Sequence, residues 1–189
     1  EKFNLYLEKL SACVNYSIDS YEVLLKAIDE RIEFFHKNGC RLSDYGISGA
    51  FSFVGFNDDE ITTIFEKNPK SEGLTELEIQ KYRSSLLLHL GKKYHEKGWT
   101  QQYHLGVIRN NNERLKELVG ADAGCDSIAD YPIIEGLSKF LNALDRTDQL
   151  AKTITYNLNP AQNETFASMM GNFNTGGIPG KMQWGAAWW

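Results

Sequence analysis

The chain has 189 residues, 42% hydrophobic and 12% aromatic, enough for one domain with a sizeable core. A formal charge of −5 without any Lys/Arg cluster argues against a nucleic-acid binder. No apolar run reaches the ~18 residues that a membrane helix needs, so neither nucleic acid nor membrane is an expected partner.

The opening residues, EKFNLYLEKL, lack the basic-then-apolar order of a signal peptide. Residues 1–39 read as leading helices, the second marked by Leu24, Ala27, Ile28, Ile32 and Phe35 at helical spacing. His36 and Lys37 suit its last turn, and Gly39 stops it. From residue 40 to 189 strands and helices alternate within the same domain. CRLSDYG is the first short strand. Thr75 with Glu78 forms a capping-box pattern before a helix whose stripe is Ile79, Tyr82, Leu86, Leu90 and Tyr94. WTQQYHLGVI is the next strand, followed by RNNN. Tyr131 to Leu144 is helical, with Pro132 in its first turn. KTITYNLNP is strand and turn, residues 161–170 a short helix, FNTGGIPG a loop and KMQWGAAWW a last strand. Cys13, Cys40 and Cys125 show neither CxxC nor Cys/His metal spacing. They read as free thiols of a reducing, cytoplasmic compartment.

About four βα units of this spacing argue for an α/β fold with a parallel sheet. In the second strand Tyr103, Leu105 and Val107 share one face, and Gln102, His104 and Gly106 the other. Ile154, Tyr156 and Leu158 oppose Thr153, Thr155 and Asn157, and Met182 and Trp184 oppose Lys181, Gln183 and Gly185. A doubly wound sheet would bury both faces under near-continuous Val, Ile and Leu. One greasy and one polar face favour a barrel, with helices outside and a polar interior near a site.

In a (β/α) barrel the strand ends and following loops carry the active site. Asp44 and Tyr45, His104 with Arg109 and Asn110, Asn157 with Asn159, and Trp184 fall at such ends, and Gln102 shares the polar face with His104. Each has a plainer reading. His104 could be a structural histidine, Asn110 to Asn112 turn formers, Asp44 a loop residue and Trp184 core. No HxH, HExxH, GxSxG or GxGxxG motif is present.

The words GCRLSD, GWTQQYHLGVIRNNN, KTITYNLNP and MMGNF…GIPGKMQWGAAWW resemble uronate isomerase, also called glucuronate isomerase, of the amidohydrolase superfamily. The resemblance runs nearly end to end, with gaps around residues 1–20 and 55–73. It implies part of a distorted (β/α)8 TIM-type barrel, strands four to seven. It also implies aldose–ketose interconversion of D-glucuronate with D-fructuronate, and of D-galacturonate with D-tagaturonate, in hexuronate catabolism. His104 and Arg109 are the implied catalytic residues. Asp44, Tyr45, Gln102, Asn110 and Trp184 are the implied substrate contacts. The family reads Ser-Asp-His where this chain has Ser43-Asp44-Tyr45, so a role for that histidine does not carry over.

The resemblance further implies zinc or a similar divalent ion in a full-length enzyme. Its His-x-His pair and Thr-Asp-Ser-Arg segment fall outside residues 1–189, so no metal ligand is expected in this chain. The chain then reads as a piece of a longer protein, inactive alone. Its open strand edges favour a homo-oligomer. Two alternatives are another amidohydrolase-fold enzyme and an inert half-barrel.

Overall fold

Local capping signals set where the helices begin. The computed structural model describes residues 2–67 and 73–185. Helix α1 (Lys2–Val14) precedes α2 (Tyr21–Lys37), where the Ser20 hydroxyl accepts the Val23 N–H at 3.2 Å. Strand β1 (Leu42–Ser48) leads into α3 (Asp58–Lys67) and α4 (Glu76–Glu96). The Thr75–Glu78 capping box is formed, and Lys67 adds an ion pair to Glu78. Strand β2 (Thr100–Ile108) is followed by α5 (Glu113–Val119), the two-residue β3 (Ser127–Ile128) and α6 (Ile134–Asp145). Strand β4 (Lys152–Asn157), a 3-10 turn (Pro160–Gln162), α7 (Asn163–Gly171) and β5 (Met182–Trp184) complete the described elements. Residues 186–189, expected to prolong the last strand, lie outside the described residues.

Three elements are additional to those expected from the sequence. Helix α3 opens on a reciprocal box in which Asn57 Oδ1 accepts the Glu60 N–H at 2.9 Å and Glu60 accepts the Asn57 N–H at 3.0 Å. Helix α5 is a single excursion capped by Asn112, and β3 is too short to show a period. Helix α6 starts at Ile134, not at Tyr131, because the Pro132 carbonyl is drawn to the Phe51 N–H at 3.3 Å.

Strands β1, β2, β4 and β5 are neighbours in that order and all parallel; β3 pairs antiparallel with the end of β2. The strand ends that follow one another in the chain therefore gather on a single rim. On one sheet face Tyr103 and Leu105 are wholly buried against Leu137, Phe140 and Leu141 of α6 and Phe166 of α7. Helices α1, α2 and α3 hold a second cluster around Leu24 and Ile61. Ile32, Tyr94, Trp99 and Ala151 form a third, at the other end of the strands.

The faces of β4 are the reverse of the sequence expectation. Tyr103 pairs with Thr155, and His104 with Tyr156. Thr153, Thr155 and Asn157 therefore lie on the helix-covered face and are buried, while Ile154 and Tyr156 share the open face with His104. The reason is a buried polar chain. The Tyr103 hydroxyl donates to Gln101 Oε1 at 3.0 Å. Gln101 Nε2 donates to Thr153 Oγ1 at 2.9 Å, and Thr153 Oγ1 donates to the Ala151 carbonyl at 2.8 Å. An Ile at that register would strand the fully buried Gln101 amide.

Thr153→Val, a near-isosteric change, should therefore cost about 1–3 kcal/mol by leaving Gln101 unsatisfied. Ile154→Val, on the open face, should cost about 1 kcal/mol or less. Thermal unfolding of the two variants checks the assignment of faces; an equal or larger loss at residue 154 contradicts it.

Candidate functional site

The open face of the sheet carries the polar row. Parallel pairing sets Asp44 beside Gln102 and Gly46 beside His104. Because residue 46 has no side chain, the imidazole has room to lean back toward Asp44. Its Nδ1 stands 2.7 Å from Asp44 Oδ1. A carboxylate can only accept, so Nδ1–H donates. On its other side the imidazole lies on the Tyr156 ring, with centroids 4.4 Å apart and planes 5° from parallel. The Tyr156 hydroxyl donates to Gln102 Oε1 at 2.8 Å. The His104 side chain keeps 18% of its surface exposed, whereas Asp44 keeps 57%, so the dyad is open at its acidic end.

Arg109 follows the end of β2. Its Nη1 donates to Asp126 Oδ2 at 2.6 Å and lies 4.0 Å from Asp122 Oδ1. Its Nη2 sits 4.0 Å from where a Cβ on Gly46 would stand. The guanidinium thus reaches back over the row that carries His104. The three asparagines after it build the turn. Asn110 takes φ +55° and donates its N–H to Asp126 Oδ1 at 2.8 Å. Asn111 Nδ2 donates to the Ile108 and Cys125 carbonyls, both at 3.1 Å, and Asn112 caps α5. Asn110 enters this rim through its backbone.

Two residues expected at the site lie on the opposite face. Tyr45 alternates with Asp44, stacks on Tyr103 and hydrogen-bonds Tyr94; burial pushes its phenol well above the ordinary range. Trp184 pairs with Thr155, and its indole N–H donates to Asn157 Oδ1. Neither reaches the Asp44–His104 row, because adjacent strand residues point to opposite faces. Tyr156, absent from the sequence expectation, takes the place beside His104. Its signal was the register with β2. Asp126, seventeen residues beyond Arg109, had no sequence signal.

Among the described residues no three His, Cys, Asp or Glu side chains converge as a metal site. Asp44 and His104 offer two donors already bound to each other, which do not make a metal centre. No chemistry is routed through an ion held by these residues.

The Asn110 N–H, then Arg109, hold the Asp126 carboxyl below the ordinary aspartate range. A carboxyl lowered by folding stabilises above its unfolded value and loses that contribution as pH falls through the folded one. The clasp between residues 109 and 126 is therefore whole at neutral pH and loosens only below the ordinary value of 3.8. The Asn110 amide resonance should shift there in the parent protein and stay flat in Asp126→Asn. A shift that persists in the variant would assign the effect elsewhere.

Comparison with known proteins follows the same lines. The family model described as glucuronate isomerase matches residues 1–189. The chain is 48% identical over 187 residues to uronate isomerase of Flavobacterium johnsoniae, covering 99% of this chain and 40% of that protein. It is 43% identical over 189 residues to uronate isomerase of Cellvibrio japonicus, covering 100% of this chain and 40% of that protein. The crystal structure of uronate isomerase from Thermotoga maritima superposes with a TM-score of 0.88 at 27% identity, over 100% of this chain and 40% of that chain. Glucuronate isomerase from Caulobacter crescentus, at 22% identity and a TM-score of 0.84, shares the fold over 100% of this chain and 38% of that one. The chain spans about 40% of the length of the relatives it matches. The expected arc of a (β/α) barrel is borne out.

Proposed function

Because the chain belongs to the glucuronate isomerase family, we propose that its open sheet face forms part of the substrate site of a hexuronate aldose–ketose isomerase. The observation that carries this reading is the Asp44–His104 dyad, set on the polar face of a parallel sheet with Arg109 beyond the strand end.

The reaction interconverts D-glucuronate with D-fructuronate. A proton leaves C2, an enediol or enediolate forms, and a proton arrives at C1 while the O2 hydroxyl proton passes to O1. Such a step needs a group that moves protons between neighbouring oxygens and a donor that steadies the charge. His104 serves the first need: with Asp44 accepting from its Nδ1–H, the imidazole exchanges a proton with a sugar hydroxyl. Arg109 serves the second, or binds the sugar carboxylate, as a guanidinium fork suits an anion. Gln102 and Asp44 offer hydrogen-bonding groups to further hydroxyls. The base at C2 and a divalent ion are not assigned to residues of this chain. Three free thiols among the described residues support a reducing, cytoplasmic setting. The outer edges of β1 and β5, unpaired among the described strands, support a homo-oligomer of this segment taken alone.

In a full-length isomerase carrying this segment, Arg109→Met should lose at least about tenfold in kcat/KM. His104→Asn should lower kcat by roughly 10²-fold or more, and Asp44→Asn by less, since the imidazole remains. Conversion of D-glucuronate, measured beside the melting temperature, separates chemistry from packing. Near-normal kinetics in all three variants, with only a lower melting temperature, would reduce the dyad to a structural pair.

A further inference from the structure

Behind the Tyr156 ring, on the side away from His104, lies Gly185. The pairing of Ile154 with Gln183 sets residues 183 and 185 on the open face, with Tyr156. A Cβ on Gly185 would stand 2.2 Å from Tyr156 Cε1, 2.5 Å from Cδ1 and 2.8 Å from Cζ. No ordinary contact is that close, so the ring occupies the space a side chain would fill. The backbone of Gly185 is not itself in the left-handed region, so the local conformation does not call for glycine. Its N–H donates to the Thr155 carbonyl at 2.9 Å, which stops the strand from drawing back. The ring cannot move off either, since its hydroxyl is tied to Gln102 Oε1 and its other face is covered by the imidazole.

We propose that Gly185 and Tyr156 are positioning residues for His104: the bare Cα of residue 185 seats the phenol, and the phenol holds the imidazole flat while Asp44 holds its edge. The three layers are a glycine backbone, a phenol and an imidazole. Two of the constraints on the ring act in different directions. The Asp44 bond sets its rotation about the side chain, and the Tyr156 face sets its tilt. The bond to Asp44 alone would allow the ring to rock out of plane, and Nε2, at the far end, would travel furthest. A group that passes a proton between two neighbouring oxygens tolerates little such travel.

The kinetic arm of the test rests on the isomerase reading above; the spectroscopic arm does not. In a full-length isomerase carrying this segment, the His104 Cε1–H resonance should lie upfield, in the ring current of Tyr156. Tyr156→Leu should move it downfield, and Gly185→Ala, which drives the phenol from its seat, should displace it as well. Tyr156→Phe keeps the ring and should return the resonance. Each of Tyr156→Leu and Gly185→Ala should lower kcat about tenfold with KM within about threefold, and Tyr156→Phe should recover most of that loss. In the Tyr156→Leu background, where room has been opened, Gly185→Ala should add little, which also covers the case in which the single alanine variant folds poorly. A His104 resonance unmoved in both Tyr156→Leu and Gly185→Ala would overturn the stack whatever the kinetics. Losses in kcat that simply multiply in the double variant would overturn the shared route through Tyr156. A displaced resonance with unchanged kcat would uphold the stack and overturn the catalytic reading of His104.

Discussion

The hydrogen bond from Gln101 Nε2 to Thr153 Oγ1 crosses from β2 to β4 in the buried layer between sheet and helices. It ties the register of two parallel strands to a polar contact that cannot be replaced by water. A slip of one residue would send every side chain of β4 to the other face. Thr153 would leave Gln101, Tyr156 would leave His104, and Ile154 would enter the layer where Leu105 and Phe140 pack. Hydrophobic burial supplies the general drive to cover the sheet. Which face is covered is decided by a glutamine and a threonine.

That division explains what could be read from the chain. In β2 the alternation is unambiguous, since Tyr103, Leu105 and Val107 outweigh Gln102, His104 and Gly106 on any scale of burial. In β4 the same rule misleads. Ile154 and Tyr156 are more apolar than Thr153 and Thr155, yet the threonines are inside. Only the partner strand holds the information, because Gln101 is the group that must be satisfied. Helix α4 was legible from Thr75 and Glu78, whose reciprocal bonds are local. Helix α3 carried an equivalent signal in Asn57 and Glu60, outside the usual Ser/Thr form of the box. The start of α6 was not legible, because the Pro132 carbonyl is used by Phe51, eighty-one residues earlier.

The site divides in the same way. Asp44, Gln102 and His104 were singled out by period and by position on strands, and pairing brings them together. Tyr45 and Trp184 were chosen for chemistry and neighbourhood, and alternation carries both to the other side. Tyr156 was hidden by the inverted face of its own strand. The run RNNN proves to hold two jobs in four residues. Arg109 reaches back over Gly46, while the asparagines shape a turn through backbone and amide bonds. A cluster of like residues at a strand end therefore need not share one purpose.

The clasp that joins residues 109–112 to 125–127 has a consequence for how this segment tolerates change. Between its two sides lie α5 and the turn after it, with Leu118 and Val119 exposed and no residue of α5 buried. The ends of that excursion are held by Asn111 and Asp126, while Asp122, between them, lies 4.0 Å from Arg109 Nη1. The entropic penalty of a longer closed loop rises only with the logarithm of its length. Residues 113–121 are thus the natural place to splice in a reporter domain, with the dyad on the neighbouring strands left undisturbed.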